Sequence, residues 1–448
     1  MLSTERARQS AESLVQRAID AGADAADVIY VGSHSTSVQV RLGELEDVSR
    51  SEGEEIGLRL FVGQRSASVS SSDLSDDALA ALAERALAMA AEAPEDPFAG
   101  LAPAERLHRG ELPALDSIDA VEPGPADLKT RALRAEAAAR GIAGVTNSNG
   151  ASASASGSTI ALATSHGFSG SYATSGHSVS AGVIAGEGAG MQRDQAWHSA
   201  RHLADVEDAE EIGRRAGERA VARVDPVRPK PGLMAVIFDA RVAASLLGHL
   251  SGAISGSAIA RKSSFLMDKL GEQLFGSGIA IIDDPLRVRG LRSRPFDGEG
   301  VAVARTELVS DGVLRTWMAD SASARQLGIA LTGHAARGVG GSPGVAPSNL
   351  YLAAGTRSRA ELLAAAPQAI LVTELIGQGV NGVTGDYSRG AAGFLVRDGE
   401  IVHPVSEITI ASNLLDMFAT LEPGSDLKFR RGMDAPTILV PAMTVGTA

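Results

Sequence analysis

IAGVTNSNGASASASGSTIALATSHGFSGSYATSGHSVSAGVIAG, residues 142–186, decides how this chain is read. Serine and alanine alternate through much of it, a period of two that sends successive side chains to opposite faces of a strand. Asn149-Gly150 is the strongest short hairpin signal here, because both residues tolerate the positive φ that a two-residue turn demands. The expectation is a meander of small-residue antiparallel strands turning at that dipeptide. Such strands bury little apolar area per residue, so a helix, a second sheet or a partner chain has to cover them.

Upstream, Ala7, Ala11, Leu14, Val15, Ala18 and Ile19 recur at helical spacing and stop at Gly22. Alternation follows in SVQVRLGELEDVS (37–49) and EIGLRLFVGQRSASVS (55–70), where Gly63-Gln64 reads as a turn between antiparallel strands. Ser75 suits an N-cap, Asp76 and Asp77 the first turn, and Leu79, Leu82, Ala86 and Leu87 the buried stripe of a second helix. Six of the eighteen prolines lie between Pro94 and Pro125, the mark of an extended connector. A short helix over 127–141 leads into the meander, a polar helix runs from about Val206 to Arg223, and VDPVRPKPG marks a hinge. The expected organisation is therefore an N-terminal module (1–93), a connector (94–126), the meander with flanking helices (127–224) and a C-terminal domain (232–448).

That last domain opens with the strand LMAVIF, Asp239 as N-cap and a helix entering SLLGHLSGAISGSAIARKSSFL (245–266). A strand ends at Asp283-Asp284-Pro285, a hairpin turns at Asp311-Gly312, a short helix stops at Gly328, and strands run through the glycine-rich ELIGQGVNGVTGDYSRGAAGFLVRDGEIVHPV (374–405). Strands neighbour strands rather than alternating with helices. The predicted class is α+β: an N-terminal α/β portion with antiparallel strands, then a larger β-rich C-terminal domain with antiparallel sheets.

At 448 residues the chain exceeds one ordinary core. Its 44% hydrophobic and 21% charged residues are the balance of a globular protein, and no apolar run nears the ~18 residues of a membrane span. MLSTERARQS lacks an apolar secretory segment, so the cytoplasm is the expected location. The net charge of −13, without a basic tract, argues against nucleic acid and anionic lipid as partners. Cysteine is absent, which excludes disulfides, thiolate nucleophiles, iron–sulfur ligation and sulfur-ligated zinc. Chemistry is left to histidine, carboxylates, hydroxyls and backbone.

None of the nine histidines is followed by Glu, so the H-E-x-x-H zinc helix is missing. His198 and His202 have one-turn helical spacing, yet in a strand they would stand ~13 Å apart. His249 continues the apolar stripe of Val242, Leu246, Leu250 and Ala253 and reads as a core or interface residue. Asp283, Asp284, Asp297 and Glu299 could form a carboxylate cluster, but a strand end and the turn FDGEG make solvated loop acids the expectation. Gly340-Gly341-Ser342-Pro343-Gly344 is the sole G-x-S-x-G, and Pro343 lacks the N–H that a nucleophile elbow needs. GEGAGM (186–191) has neither the spacing nor the context of a dinucleotide fingerprint.

Spaced blocks along most of the chain nevertheless resemble one family, the TldD/PmbA proteins, in their PmbA/TldE branch. The blocks are GLRLFVGQRSASVSSSDLS, SGSAIARKSSFLMDKLGE, IIDDP, PFDGEGVAVARTELVSDGVLRTWMADSASARQLG, SNLYLAAG and TELIGQGVNGVTGDYSRGAAGFLVRDGEIVHPVSEITIASNLLD. The resemblance implies a two-part fold and a cytosolic heterodimer whose TldD subunit carries zinc. That pair cleaves unfolded or extended peptides and trims leaders from modified peptide precursors. The TldD branch draws its zinc ligands from a His-Glu-x-x-x-His helix and a cysteine near the C-terminus. Laid on this sequence, that helix motif falls on about Leu247, Gly248 and Gly252, and MDAPTILVPAMTVG (433–446) has no cysteine.

The implied role is a non-catalytic subunit that binds no cofactor itself, with zinc in a TldD-type paralogue and a homodimer in that partner's absence. Its substrate would be unfolded peptide. The glycine-rich sheet could receive it, since glycine permits close backbone approach and a free strand edge can add a peptide strand. Gln378, Asn381, Thr384, Asp386 and Ser388 are the candidate contacts, the alternative being that these glycines serve bulges and turns. Two rival classes are a peptidase active alone through a metal site at His249 or the Asp283–Glu299 acids, and a regulatory protein-binding scaffold.

Overall fold

The structure, a computed structural model, describes residues 1–447. Helix α1 (Thr4–Asp20) starts at Ser3 and buries the stripe of Ala7, Ala11, Leu14, Val15 and Ala18. Strands β1 (Ala25–Arg41), β2 (Glu44–Val62) and β3 (Arg65–Ser71) follow, then α2 (Asp76–Glu92), capped by the Ser75 hydroxyl on Ala78 N. Beyond the proline-rich connector come α3 (Pro125–Arg140), β4 (Val145–Thr164), β5 (Ser169–Ala185), β6 (Gln192–Ala200) and α4 (Ala209–Ala222). The six strands make one antiparallel sheet in the order β3-β2-β1-β4-β5-β6. β1 pairs with β4 from Asp27↔Thr164 to Val40↔Ala151, so the segments on either side of the connector share a sheet.

Asn149-Gly150 does not turn the chain, contrary to the sequence expectation. Gly150 does adopt φ +94°, but inside β4, at a register shift where its N–H donates to Ser148 Oγ. A Cβ there would lie 2.8 Å from Val40 O, so the positive φ serves a bulge under a close neighbouring strand. The reversal comes at residues 165–168, with Gly167 at φ +92°.

Helices α1 to α4 all cover one face of this sheet, α1 and α2 over Val28, Tyr30, Leu58 and Leu60, α3 and α4 over the alanines of β4 and β5. The small strand residues draw the helices in, and α3 and α4 also meet each other closely. A Cβ on Gly213 would lie 2.0 Å from Ala135 O and one on Gly217 2.7 Å from Ala139 O. Helix propensity alone favours Gly213→Ala by ~1 kcal/mol, but the clash with backbone reverses the sign and costs about 1–3 kcal/mol. The expected result is a lower melting temperature for Gly213→Ala; a higher one would mean that α4 shifts freely.

The opposite face carries Ile29 and Leu162, which with Phe168 of the β4–β5 connection pack on Phe296 and Val301 of the C-terminal half. Among the described residues that half holds two larger sheets and a two-stranded one. The larger, β16-β15-β14-β7-β19-β17, comprises β7 (Gly232–Phe238), β14 (Gln368–Ile376), β15 (Asp386–Arg397), β16 (Glu400–Asn413), β17 (Glu422–Pro423) and β19 (Ile438–Thr447). The smaller, β10-β9-β8-β13-β18, comprises β8 (Ile281–Asp283), β9 (Thr306–Ser310), β10 (Val313–Leu314), β13 (Leu350–Leu352) and β18 (Met433–Asp434), while β11 (Ala335–Ala336) pairs with β12 (Gly344–Val345). The α+β class with a β-rich C-terminal part stands, but the sheets are mixed: β7 runs parallel to β14 and β13 to β18. β7 can take that central place because Ala235–Phe238 are buried on both faces. Helix α5 (Ala240–Ala253) lies in the core formed by both sheets, with Leu246, Leu247 and Leu250 among Phe238, Ile281, Leu308 and Ile370.

Candidate functional site

β7 delivers the chain directly into α5, whose first turn is capped by the Asp239 carboxylate accepting from Arg241 N at 3.1 Å. Leu247 points into the core, whereas Gly248 and Gly252 stand one turn apart on the exposed side. A Cβ on Gly248 would touch only Met433 Sδ at 3.9 Å, and one on Gly252 nothing within 4 Å. Space for ligand side chains is therefore present at these two positions, and the side chains are not.

His249, beside them, turns away from that exposed side. Its ring meets Tyr387 of β15 edge-on, with centroids 5.9 Å apart. The enclosed Nε2 finds no hydrogen-bond partner; neither do Ser245 Oγ one turn earlier, Tyr387 Oη and Arg389 Nε. Burial lowers the pKa of His249 and the Arg389 charge lowers it further, while burial raises that of Tyr387. A neutral imidazole facing a guanidinium is a poor start for a cation site. Zinc requires three or four nitrogen, sulfur or oxygen ligands converging on a point. The donor set at α5 does not fit it, and among the described residues no group of three or more His, Cys, Asp or Glu could hold a metal ion.

Residues 377–385 form a loop between β14 and β15 that packs on the segment after α5, through Phe265 N–H to Gly382 O at 3.0 Å. Of the five candidate contacts, Asn381, Thr384 and Asp386 build the loop itself. Asn381 Oδ1 accepts from Val383 N and Thr384 N, and the Thr384 hydroxyl donates to Asp386 at 2.6 Å. Asn413 Nδ2 adds a bond to Asp386 at 3.2 Å, and these two donors, Thr384 first, hold the carboxyl below its usual pKa. Gln378 and Ser388 are exposed and make no side-chain hydrogen bond among the described residues. No free strand edge exists here. β15 is paired with β16 on one side, and Ser388 N–H donates to Gly379 O on the other at 2.7 Å, so close that a Cβ on Gly379 would lie 1.9 Å from Ser388 O. An added strand therefore cannot extend the sheet at this point.

The other sequence candidates stay apart. His198 lies in β6, with Nδ1 accepting from Glu207 N at 3.0 Å, whereas His202 lies beyond the strand, with Nε2 at Asp116 O, 2.9 Å. Asp283, Asp297 and Glu299 are not solvated loop acids but buried ones. The Asp283 carboxylate accepts from Ser348 N and Oγ, both at 2.7 Å, and that of Asp297 from the N–H groups of Glu299, Val301 and Ala335. FDGEG is a turn, as its composition says, but one folded inward against the first sheet, where carboxylates satisfy backbone donors.

Sequence reasoning missed the charge cluster at that junction. Asp27 pairs with Arg59 across β1 and β2 and with Arg337 Nη1 at 2.5 Å, while Glu299 stands 3.8 Å from Arg59. The available signal was a single charged residue inside each of two apolar runs, ADVIY and GLRLFV. A carboxylate and a guanidinium at such positions must find each other or another buried partner.

Models of the PmbA/TldA metallopeptidase match in three consecutive pieces: domain 1 at residues 26–90, the central domain at 118–224 and the C-terminal domain at 231–447. A protein of Escherichia coli O157:H7 named metalloprotease PmbA is 37% identical over 446 residues, 98% of this chain and 97% of that one. A metalloprotease TldD homolog of Haemophilus influenzae is 26% identical over 218 residues, 48% of this chain and 45% of that one. The crystal structure of TldE from Thermococcus kodakarensis superposes with a TM-score of 0.87 at 20% identity, covering 98% of this chain and all of that one, a likeness of fold. This chain belongs to the PmbA/TldD metallopeptidase family.

Proposed function

We propose that this chain is the subunit of a cytosolic PmbA/TldD-type peptidase that contributes no metal ligand. It pairs with a TldD-type paralogue that holds the zinc, and it helps present unfolded or extended peptide, including modified-peptide precursors, for cleavage. The observation that carries the reading is α5: Leu247, Gly248 and Gly252 offer no donor atoms, and the neighbouring His249 is packed against Tyr387 beside Arg389. This chain's own work is then positional. The Asn381–Thr384–Asp386 network stiffens the loop, and Gln378 and Ser388 present polar groups outward from it.

The test is metal content together with cleavage of an unstructured peptide, for the purified chain alone and mixed with its TldD-type partner. Metal-free, inactive protein that enables cleavage only in the mixture is the expected result. In that mixture Gln378→Ala with Ser388→Ala should raise KM several-fold at constant kcat, the pattern of lost substrate binding. Stoichiometric metal and chelator-sensitive cleavage by the single chain would overturn the proposal.

A further inference from the structure

A cavity of about 980 Å³ opens where the first sheet meets the C-terminal half, between α4 and β6 on one side and the first turn of α5, the end of β14 and residues 426–437 on the other. Its wall carries eight arginines and a lysine against five carboxylates, in a chain whose net charge is −13. Most of the pairing is internal. Asp194 takes Arg241 through bonds of 2.8 and 3.0 Å and Arg223 at 3.3 Å, Glu374 takes Arg223, and Asp239 takes Arg359 at 2.8 Å. Glu207 takes Arg215 and Arg430, and the carboxylate of Asp434 is occupied by the N–H groups of Arg430, Arg431 and Gly432.

Three arginines of the wall, Arg193, Arg219 and Arg431, are left without a carboxylate among the described residues, and of these Arg193 is exposed. The Arg219 guanidinium donates only to Gln195 O at 3.3 Å, and that of Arg431 only to Arg241 O, 5.1 Å from the Trp197 ring centroid. Burial, with repulsion from Arg241, pulls the Arg219 pKa down to about 10, which is how an uncompensated cation behaves. Thr373, 7% exposed, lines the same wall, and its Oγ1 has no hydrogen-bond partner; the Nε atoms of Arg241 and Arg359 are likewise unpaired. A buried hydroxyl left unsatisfied beside surplus guanidinium groups is the arrangement expected where a ligand supplies the missing acceptors.

We infer that this cavity binds a small multivalent oxyanion, a molecule bearing at least two phosphate or carboxylate groups, held by Arg219, Arg431, Arg241 and Thr373. The volume lies at the upper end of the ~300–1,000 Å³ typical of small-molecule sites, and the planar fork of arginine matches both anions bidentately. The carboxylates of Asp194 and Asp239 orient the arginines and keep the empty cavity from repelling itself open. This inference does not depend on the role proposed for α5.

The experiment is calorimetric titration of the full chain with inorganic pyrophosphate and, separately, with citrate, at low and at physiological ionic strength. Saturable one-to-one binding is expected, weakening with salt. It should fall at least about tenfold in Arg219→Gln and Arg431→Gln, as loss of a charged hydrogen-bond donor requires. Arg305→Gln, which alters an exposed pair with Glu307, should bind like the unaltered chain. Preference for pyrophosphate would identify phosphate as the ligand chemistry, and preference for citrate would identify carboxylate. Should either arginine variant fail to fold, Thr373→Val removes only an unpaired hydroxyl and should weaken binding several-fold at unchanged melting temperature. Absence of saturation with both probes, equal affinity across the variants, or binding of a glutamate-rich peptide but neither probe would each overturn the inference.

Discussion

Asp27→Asn destabilises the folded chain by about 3–5 kcal/mol, the usual cost of removing one partner from a buried ion pair. The side chains of Asp27 and Arg337 are almost wholly enclosed, and that of Arg59 is 7% exposed. Burial pushes the Asp27 carboxyl up, but the charges of Arg337 and Arg59 outweigh it and hold the group below the ordinary carboxylate range. Asparagine keeps the shape and leaves two guanidinium groups without their counter-charge at the junction between the first sheet and the C-terminal half. Denaturant unfolding followed by far-UV circular dichroism measures the loss. Adding Arg337→Met should recover part of it, because the second unpaired charge is then gone. A change below ~1 kcal/mol in the single variant would mean that water reaches the cluster.

Glu299 gives the second large effect, and its sign is set by the direction of its shift. Burial raises the carboxyl from 4.5 to about 7, opposed by Arg59 and reinforced by Asp297. A group that holds its proton more tightly folded than unfolded stabilises the fold below its unfolded pKa and loses that contribution as pH rises through its folded pKa. The window is therefore pH 4.5 to about 7, and the amount lost across it is on the order of 3 kcal/mol. Glu299→Gln imitates the protonated form and cannot titrate. Melting temperatures of the two proteins should nearly coincide at pH 4.5, with the variant the more stable above pH 7. A gap that stays constant with pH would show that Glu299 is ionised throughout. The two predictions meet at Arg59: once Asp27 is neutral, Glu299 is the nearest carboxylate to that guanidinium and should release its proton at lower pH.

Local signals were read correctly where nothing competed with them. Ser75 and Asp239 cap helices, Gly63-Gln64 and Asp311-Gly312 turn hairpins, and Gly328 ends its helix in the left-handed conformation. Asn149-Gly150 carried an equally strong local signal, and half of it is true: Gly150 has the positive φ, applied to a bulge because β5 pairs with β4 on both sides of it, from Val145↔Ala185 to Ala163↔Ser169. FDGEG similarly reads as a turn and is one, but a turn's composition says nothing about which surface will cover it. At α5 the missing ligands at Leu247, Gly248 and Gly252 were legible as residue types; that His249 faces Tyr387 and Arg389 was not, since those lie more than 130 residues away on β15.

By itself the sequence determined the α+β class, the helices and most turns, the absence of sulfur chemistry and the lack of donors on the metal-helix positions. Each of these depends on periodicity, caps or side-chain identity, which act within a few residues. Only the tertiary structure decided that one sheet spans the connector, that β7 and β14 run parallel, and that Asp27, Arg59, Arg337 and Glu299 share a buried junction. The arginine-lined cavity is of the same kind, since its wall draws on segments from Gln39 to Thr437. Charges in a sequence carry no record of their depth or neighbours, and burial alone turns a run of ordinary acids and arginines into paired, shifted or unsatisfied groups.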